Sequence, residues 1–327
     1  MTDLLKLKSL CENLECEYEV DASMKNLTTF QIGGPCEFLA RPYDDGQVAA
    51  LVRFCTQNGI RYRVIGNGSN LLVPDGGLSG VVIQLGSNFS WIRKSLKPGE
   101  IVCAAGASLS ALAHFAQQES LTGMEFAWGI PGNVGGAVYM NAGAYGGEMK
   151  DVVVSVDYVD EMGNTRTAGA DDLQFGYRKS IFTDKNWVIT KVKIRLAPGN
   201  GEEIRAKMDD LMARRKEKQP LEYPSAGSVF KRPEGAFAGA LIEQCGLKGR
   251  TVGGAQVSEK HAGFVVNRGG ATQEDIHALL KHVRNTVYEK FQVELEPEMI
   301  LLPPGMQLLD RGPAVPRHLI NLNDPTL

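Results

Sequence analysis

The stretch GIPGNVGGAVYMNAGAYGG, Gly129 to Gly147, holds seven glycines in nineteen residues, together with Asn133 and Asn141. Backbone with so little side chain serves either tight turns and close strand packing, or the approach of main-chain amides to a ligand. A second segment, VIGNGSNLLV, has the same character: a strand runs straight into Gly66-Asn67-Gly68-Ser69-Asn70 and then Leu71. Successive N–H groups hold a phosphate only where no Cβ blocks the way, and polar side chains between glycines add donors. Two such loops in one chain are read as two sides of one anion site, with the packing alternative still open. Neither loop is a common nucleotide fingerprint. GNGSNL carries Leu71 where G-x-G-x-x-G requires glycine, and no G-x-x-x-x-G-K-[ST] occurs.

Outward from these loops, short strands and helices alternate unevenly, which defines an α+β class. Val48, Leu51, Val52 and Cys55 form a helical stripe that Asn58-Gly59 ends, followed by strands at 61 to 66 and 80 to 85. A strand at 101 to 107 leads to Ser108, an N-cap for a helix with Leu109, Leu112, Ala113 and Ala116 on one face. VVVSVDYVD, the turn EMGNT and VITKVKIRL read as antiparallel strands, with FGYRKSIF before the last. A helix carrying Ile204, Met208, Leu211 and Met212 stops near Pro220. A short helix, a strand HAGFVVN, a helix capped by Thr272 and a final strand VELEPEMILL follow. The expected units are 1–88, 89–203 and 204–303, with a flexible tail over 304–327.

The chain has 327 residues, 43% of them hydrophobic and 22% charged, and can bury a core without staples. A formal net charge of −3 argues against a nucleic-acid partner, so any anionic ligand must meet a local basic cluster. The six cysteines form no C-x-x-C pair, so no metal site or disulfide scaffold is indicated, and a reducing cytoplasm fits. No window reads as a membrane span.

FQIGGPCEFLARP, RVIGNGSNLLV, GIPGNVGGAVYMNAGAYGG, FGYRKSIF, SAGSVFKRP and LEPEMILL, in that order, resemble the successive motifs of UDP-N-acetylenolpyruvoylglucosamine reductases. The resemblance covers almost the whole chain. It implies a two-domain FAD-binding unit of the vanillyl-alcohol-oxidase type followed by a C-terminal α+β substrate domain. It also implies reduction of the enolpyruvyl ether of UDP-N-acetylglucosamine to UDP-N-acetylmuramate in peptidoglycan precursor synthesis, with NADPH as co-substrate, by a cytoplasmic monomer. The FAD is expected to be noncovalent, because VIGNGSNLLV lacks the histidine that often tethers it in related oxidases.

By the same resemblance the cofactor is held by Gly66, Asn67, Gly68, Ser69, Asn70 and Leu71, and by Gly129, Ile130, Pro131, Gly132, Gly135, Gly136, Asn141, Ala142 and Gly143. Arg178 is implied to hold the substrate carboxylate, Ser228 to donate the proton, and Glu298 to stabilise or protonate the enol. Tyr177, Lys218, Lys231, Arg232 and His261 are implied at the substrate, His261 standing where some relatives have glutamine. From the residues alone Arg178 reads first as an ordinary ion-pair partner, and Ser228 as a structural Gly-Ser turn residue. Glu294, Glu296 and Glu298 alternate with other residues and are expected on one strand face. The piece between Arg178 and the third unit is short, resembling the subclass without an inserted tyrosine-bearing loop. Two other readings stay open: a flavin oxidase of the same superfamily, and a non-catalytic flavin- or nucleotide-sugar-binding module.

Overall fold

A computed structural model describes residues 3–302. The segment 304–327, expected to be a tail, lies outside the described residues. Helix α1 (Asp3–Asn13) precedes a four-stranded sheet whose spatial order is Glu17–Ser23, Pro35–Arg41, Leu78–Gln84, Tyr62–Ile65. The first pair is antiparallel and the other two are parallel, so a crossover must return the chain; α2 (Asp45–Gln57) makes it. Asp44 caps α2 by accepting from the Gln47 N–H, and the expected stripe Val48, Leu51, Val52 and Cys55 is buried. Phe38, Ala40, Val81 and Ile83 face one core, and Leu39 and Val82 face another, as strand alternation requires.

The second unit is an antiparallel five-stranded sheet in the order Thr165–Gly169, Val153–Val159, Val188–Arg195, Glu100–Ala104, Ile92–Lys94. The turn EMGNT therefore leads not to Val188–Arg195 but to the intervening strand Thr165–Gly169, whose polar residues gave no apolar alternation to read. Helix α3 (Leu109–Gln118) is capped by Ser108, whose hydroxyl accepts from Ala111 N–H at 3.1 Å. A six-residue helix, α4 (Val134–Tyr139), sits inside the long glycine stretch. Residues of both units merge in one continuous core.

Helix α5 (Gly201–Lys218) buries Ile204, Met208, Leu211 and Arg215, and Ile204 and Met208 join that shared core. Its packing attaches it to the second unit, whereas the sequence reading opened the third unit at 204. Beyond it, Ser225–Ser228, Phe264–Asn267, Ala255–Val257 and Thr251–Val252 form an antiparallel sheet in that order. Helices α6 (Ala238–Gln244) and α7 (Gln273–Phe291) pack with it around a separate core that also takes in Phe30, Ile32 and Leu72 of the first unit.

The expected strand 293–302 shrinks to Ile300–Leu301, which pairs parallel with Leu71–Leu72 directly after the first glycine loop. Pro297 donates no N–H and holds only an isolated bridge to Phe230. This short strand thus ties the third unit to the first glycine loop.

Candidate active site

The two glycine loops touch. Asn67 donates from Nδ2 to the Pro131 carbonyl at 2.7 Å. A Cβ on Gly66 would stand 2.8 Å from Asn133 Oδ1, one on Gly135 2.9 Å from Ala105 Cβ, and one on Gly143 2.7 Å from Gly147 O. Gly68, at φ +59°, presses against Leu27 O and Thr28. Close packing thus requires these glycines, Gly66 against the second loop and the others against neighbouring backbone and side chains, the plainer of the two sequence readings. Gly132 and Gly136 differ: the nearest atom to a Cβ on Gly132 is Ser69 Oγ at 3.5 Å, and beside Gly136 nothing lies within 4 Å.

The main-chain amides of Asn67, Gly68, Ser69, Asn70, Gly132, Asn133 and Gly136 donate to no acceptor among the described residues. Seven unpaired N–H groups on two apposed loops, beside glycines that leave space, are a donor set that suits a diphosphate-bearing cofactor. Leu71 is held in the ladder to Ile300, and Gly129 is pressed from behind by Met212 and Arg215. Asn141, read from sequence as a cofactor contact, is 1% exposed and fully engaged: its Nδ2 donates to Glu148 Oε2 at 2.6 Å and Gly176 O at 3.0 Å, and its Oδ1 accepts from Lys150 N at 2.9 Å. Its work is to pin the turn that carries Arg178. Ala142 and Gly143 sit in the hairpin beside it.

Arg178 stands at φ +55°, an uncommon backbone position for a side chain of this size, within the Gly176–Lys179 bridge. Its Nε donates to Glu298 Oε1 at 2.5 Å, and its guanidinium lies 5.2 Å from the centre of the Tyr177 ring. The Tyr177 hydroxyl in turn accepts from Arg232 N–H at 3.0 Å, a bond between the second and third units. Glu298 donates its own N–H to Val229 O at 2.9 Å, one residue from Ser228, and its carbonyl accepts from Asn70 Nδ2 at 3.1 Å. Ser228 Oγ rests on Phe230 O at 3.2 Å. Thr29 closes the ring, with its hydroxyl on Ser225 O at 2.7 Å and its amide on Gly68 O. Arg178, Ser228, Glu298 and the first glycine loop are thereby one site.

Burial holds the Glu298 carboxyl above its ordinary pKa, against the pull of Arg178 and Lys231. Glu296 is on a different footing: it pairs with Lys231 at 3.0 Å and its side chain is 70% exposed. The two glutamates do not share an environment. Arg232 lies over Phe237 at 4.4 Å. No contact ties Lys218, the exposed last residue of α5, to this group. His261 packs its ring on Phe264 at 4.9 Å and accepts from Gly263 N–H on Nδ1; burial pushes its pKa down.

The sequence reading missed Arg215. Its guanidinium is buried, donating from Nε to Trp128 O and from Nη2 to Phe126 O, each at 3.1 Å, with Tyr145 on its face at 5.0 Å. It is the clamp behind the second glycine loop. The signal was present: 204, 208, 211 and 215 continue one helical stripe, and an arginine on an apolar stripe is buried with partners.

Residues 36–169 match the family described as an FAD binding domain. With two apposed loops of free amides, the fold and site define a flavoprotein that carries FAD. Residues 219–302 match the C-terminal domain of UDP-N-acetylenolpyruvoylglucosamine reductase. A reductase of that name from Caldanaerobacter subterraneus subsp. tengcongensis is 48% identical over 294 residues, 90% of this chain and 96% of the relative. One from Clostridium perfringens is 47% identical over 289 residues, 88% and 94% of the two chains. The crystal structure of the Thermus caldophilus enzyme superposes with a TM-score of 0.75 at 36% identity, over 88% of this chain and 99% of that one. The chain belongs to the UDP-N-acetylenolpyruvoylglucosamine reductase family. No helix among the described residues is long and apolar enough to cross a membrane.

Proposed function

We propose that this chain reduces UDP-N-acetylglucosamine enolpyruvate to UDP-N-acetylmuramate, the peptidoglycan precursor, using NADPH and noncovalent FAD, as a cytoplasmic monomer. One observation carries the assignment of roles: Arg178 and Glu298 meet between the glycine loops and the Ser228 strand. The free amides of residues 67–70 and of Gly132, Asn133 and Gly136 would hold FAD, which would pass on the hydride taken from NADPH. Hydride addition at the terminal alkene carbon leaves charge on the neighbouring carbon and its carboxylate. Arg178 meets that charge: its guanidinium fork is held by Glu298 and Tyr177, so little ordering is needed when the charge develops. Ser228 delivers the proton to the carbon, and Glu298 stabilises the enol. Lys231, Arg232, Tyr177, Lys218 and His261 take the sugar and diphosphate, with the two lysines and Arg232 supplying the positive charge that a chain of net charge −3 needs for an anionic substrate.

The test is spectroscopic. Under anaerobic conditions NADPH bleaches the yellow protein and the enolpyruvate ether restores the colour. Recolouring by oxygen alone indicates an oxidase, and a protein that takes up no FAD indicates a binding module. Ser228→Ala is expected to leave bleaching intact and slow recolouring by about 10²- to 10⁴-fold. Equal slowing of both halves removes Ser228 from the acid role.

A further inference from the structure

Glu298 engages Arg178 through Nε alone, and neither Nη group donates to any atom among the described residues. The arginine is therefore half used: one edge holds Glu298 and the other is free for a second carboxylate. The cations that face Glu298 are Arg178, from the turn after Thr165–Gly169, and Lys231, from the segment after Ser228. Glu296, on its own segment, already draws on Lys231 at 3.0 Å, and the first glycine loop contributes only the neutral Asn70 amide. Two cations thus stand against two carboxylates before any ligand arrives.

We infer that binding of the carboxylate-bearing substrate transfers one proton from solvent to Glu298, which then shares Arg178 with the ligand as a neutral acid. The inference rests on the proposed function, because it takes its third carboxylate from that substrate. Two carboxylates on one guanidinium cannot both stay ionised cheaply, and the one in the drier place takes the proton. Glu298 is that one: its side chain is 14% exposed, and burial already lifts its pKa against both cations. The ligand's carboxylate, conjugated with an alkoxy-alkene, is intrinsically the stronger acid. Glu298 is anchored through its N–H to the residue after Ser228, so the proton is stored beside the strand that delivers it. Glu298 thus becomes a neutral hydrogen-bond donor to the ligand only when substrate is present.

Titration calorimetry on the oxidised holoenzyme without NADPH reads this directly. The enolpyruvate ether is titrated at one pH in phosphate and in Tris, and the dependence of enthalpy on buffer ionisation gives the protons taken up. Uptake approaching one proton is expected, with affinity falling about tenfold per pH unit above the pKa of the free enzyme's Glu298. UDP-N-acetylglucosamine, which lacks the carboxylate, binds with no uptake, and Glu298→Gln binds the ether with none. Binding of the ether with equal enthalpy in both buffers overturns the coupling while leaving the proposed function standing. Uptake that persists in Glu298→Gln overturns it too, by moving the proton to another group. A yellow holoenzyme that binds neither ligand refutes the proposed function, and the coupling with it.

Discussion

Replacing Asn141 tests how the Arg178 turn is held. The side chain is 1% exposed and makes three hydrogen bonds, to Gly176 O, Lys150 N and Glu148 Oε2, from a backbone at φ +43°. Asn141→Ala removes two neutral bonds of about 1 kcal/mol each and one to a carboxylate of about 2 kcal/mol. It also removes the short polar side chain that lets asparagine tolerate the left-handed region, at about 1 kcal/mol. Water reaches part of Glu148, so a net loss of roughly 3 to 4 kcal/mol follows. In a chain of this length that lowers Tm by about 5 °C. Asn141→Gly keeps the hydrogen-bond loss but escapes the backbone strain, and should recover about 1 kcal/mol of it. Asn141→Asp is the sharper probe, because it turns the donor that faces Glu148 and Gly176 O into a carboxylate. An aspartate buried there has a folded-state pKa raised above its unfolded value. Its destabilisation is therefore full at neutral pH and fades as pH falls through that raised pKa. Differential scanning calorimetry at pH 7.5 and pH 5 measures all three variants. If Asn141→Ala melts within about 1 °C of the parent, or Asn141→Asp shows no relative gain at pH 5, Asn141 is not the pin of this turn.

The two adjacent helical glycines should part company. Gly135→Ala meets Ala105 Cβ at 2.9 Å and is expected to cost about 1 to 3 kcal/mol, whereas Gly136→Ala, with nothing within 4 Å, should leave the FAD-free protein as stable or slightly more so while weakening FAD uptake. Apoprotein melting and flavin fluorescence titration separate the two effects. Arg215→Met strands the carbonyls of Phe126 and Trp128 and is expected to lower FAD affinity at least tenfold, read by ultrafiltration of the reconstituted protein; unchanged retention would show that the clamp does not shape the loop. Asp275, whose pKa the Thr272 and Gly254 N–H groups hold below the usual carboxylate range, contributes stability that is present above its unfolded pKa and lost as pH falls through the folded one. Asp275→Asn should therefore be less stable than the parent at pH 7 and indistinguishable near pH 2, by urea melts.

Much of the architecture was legible where one period dominated. The stripes of α2, α3 and α7 are buried as spaced, and the caps expected at Ser108 and Thr272 are in place. The strand Thr165–Gly169 was not legible, because an edge strand that faces solvent carries no apolar alternation. Nor was the fate of the last segment: alternation at 294, 296 and 298 suggested one face, but Pro297 interrupts the ladder and the two outer partners, Lys231 and Arg178, come from different units.

The sequence by itself determined the class, the family and the identities of the groups at the site, because glycine loops, caps and apolar stripes act over a few neighbouring residues. Only the tertiary structure decided what those groups do to one another. The Asn141 side chain holds Gly176, Arg215 is buried behind the second loop, and Glu298 rather than Glu296 reaches Arg178. Each depends on contacts between residues from about 35 to 120 positions apart, where burial and charge pairing are properties of the assembled surfaces and leave no period in the chain.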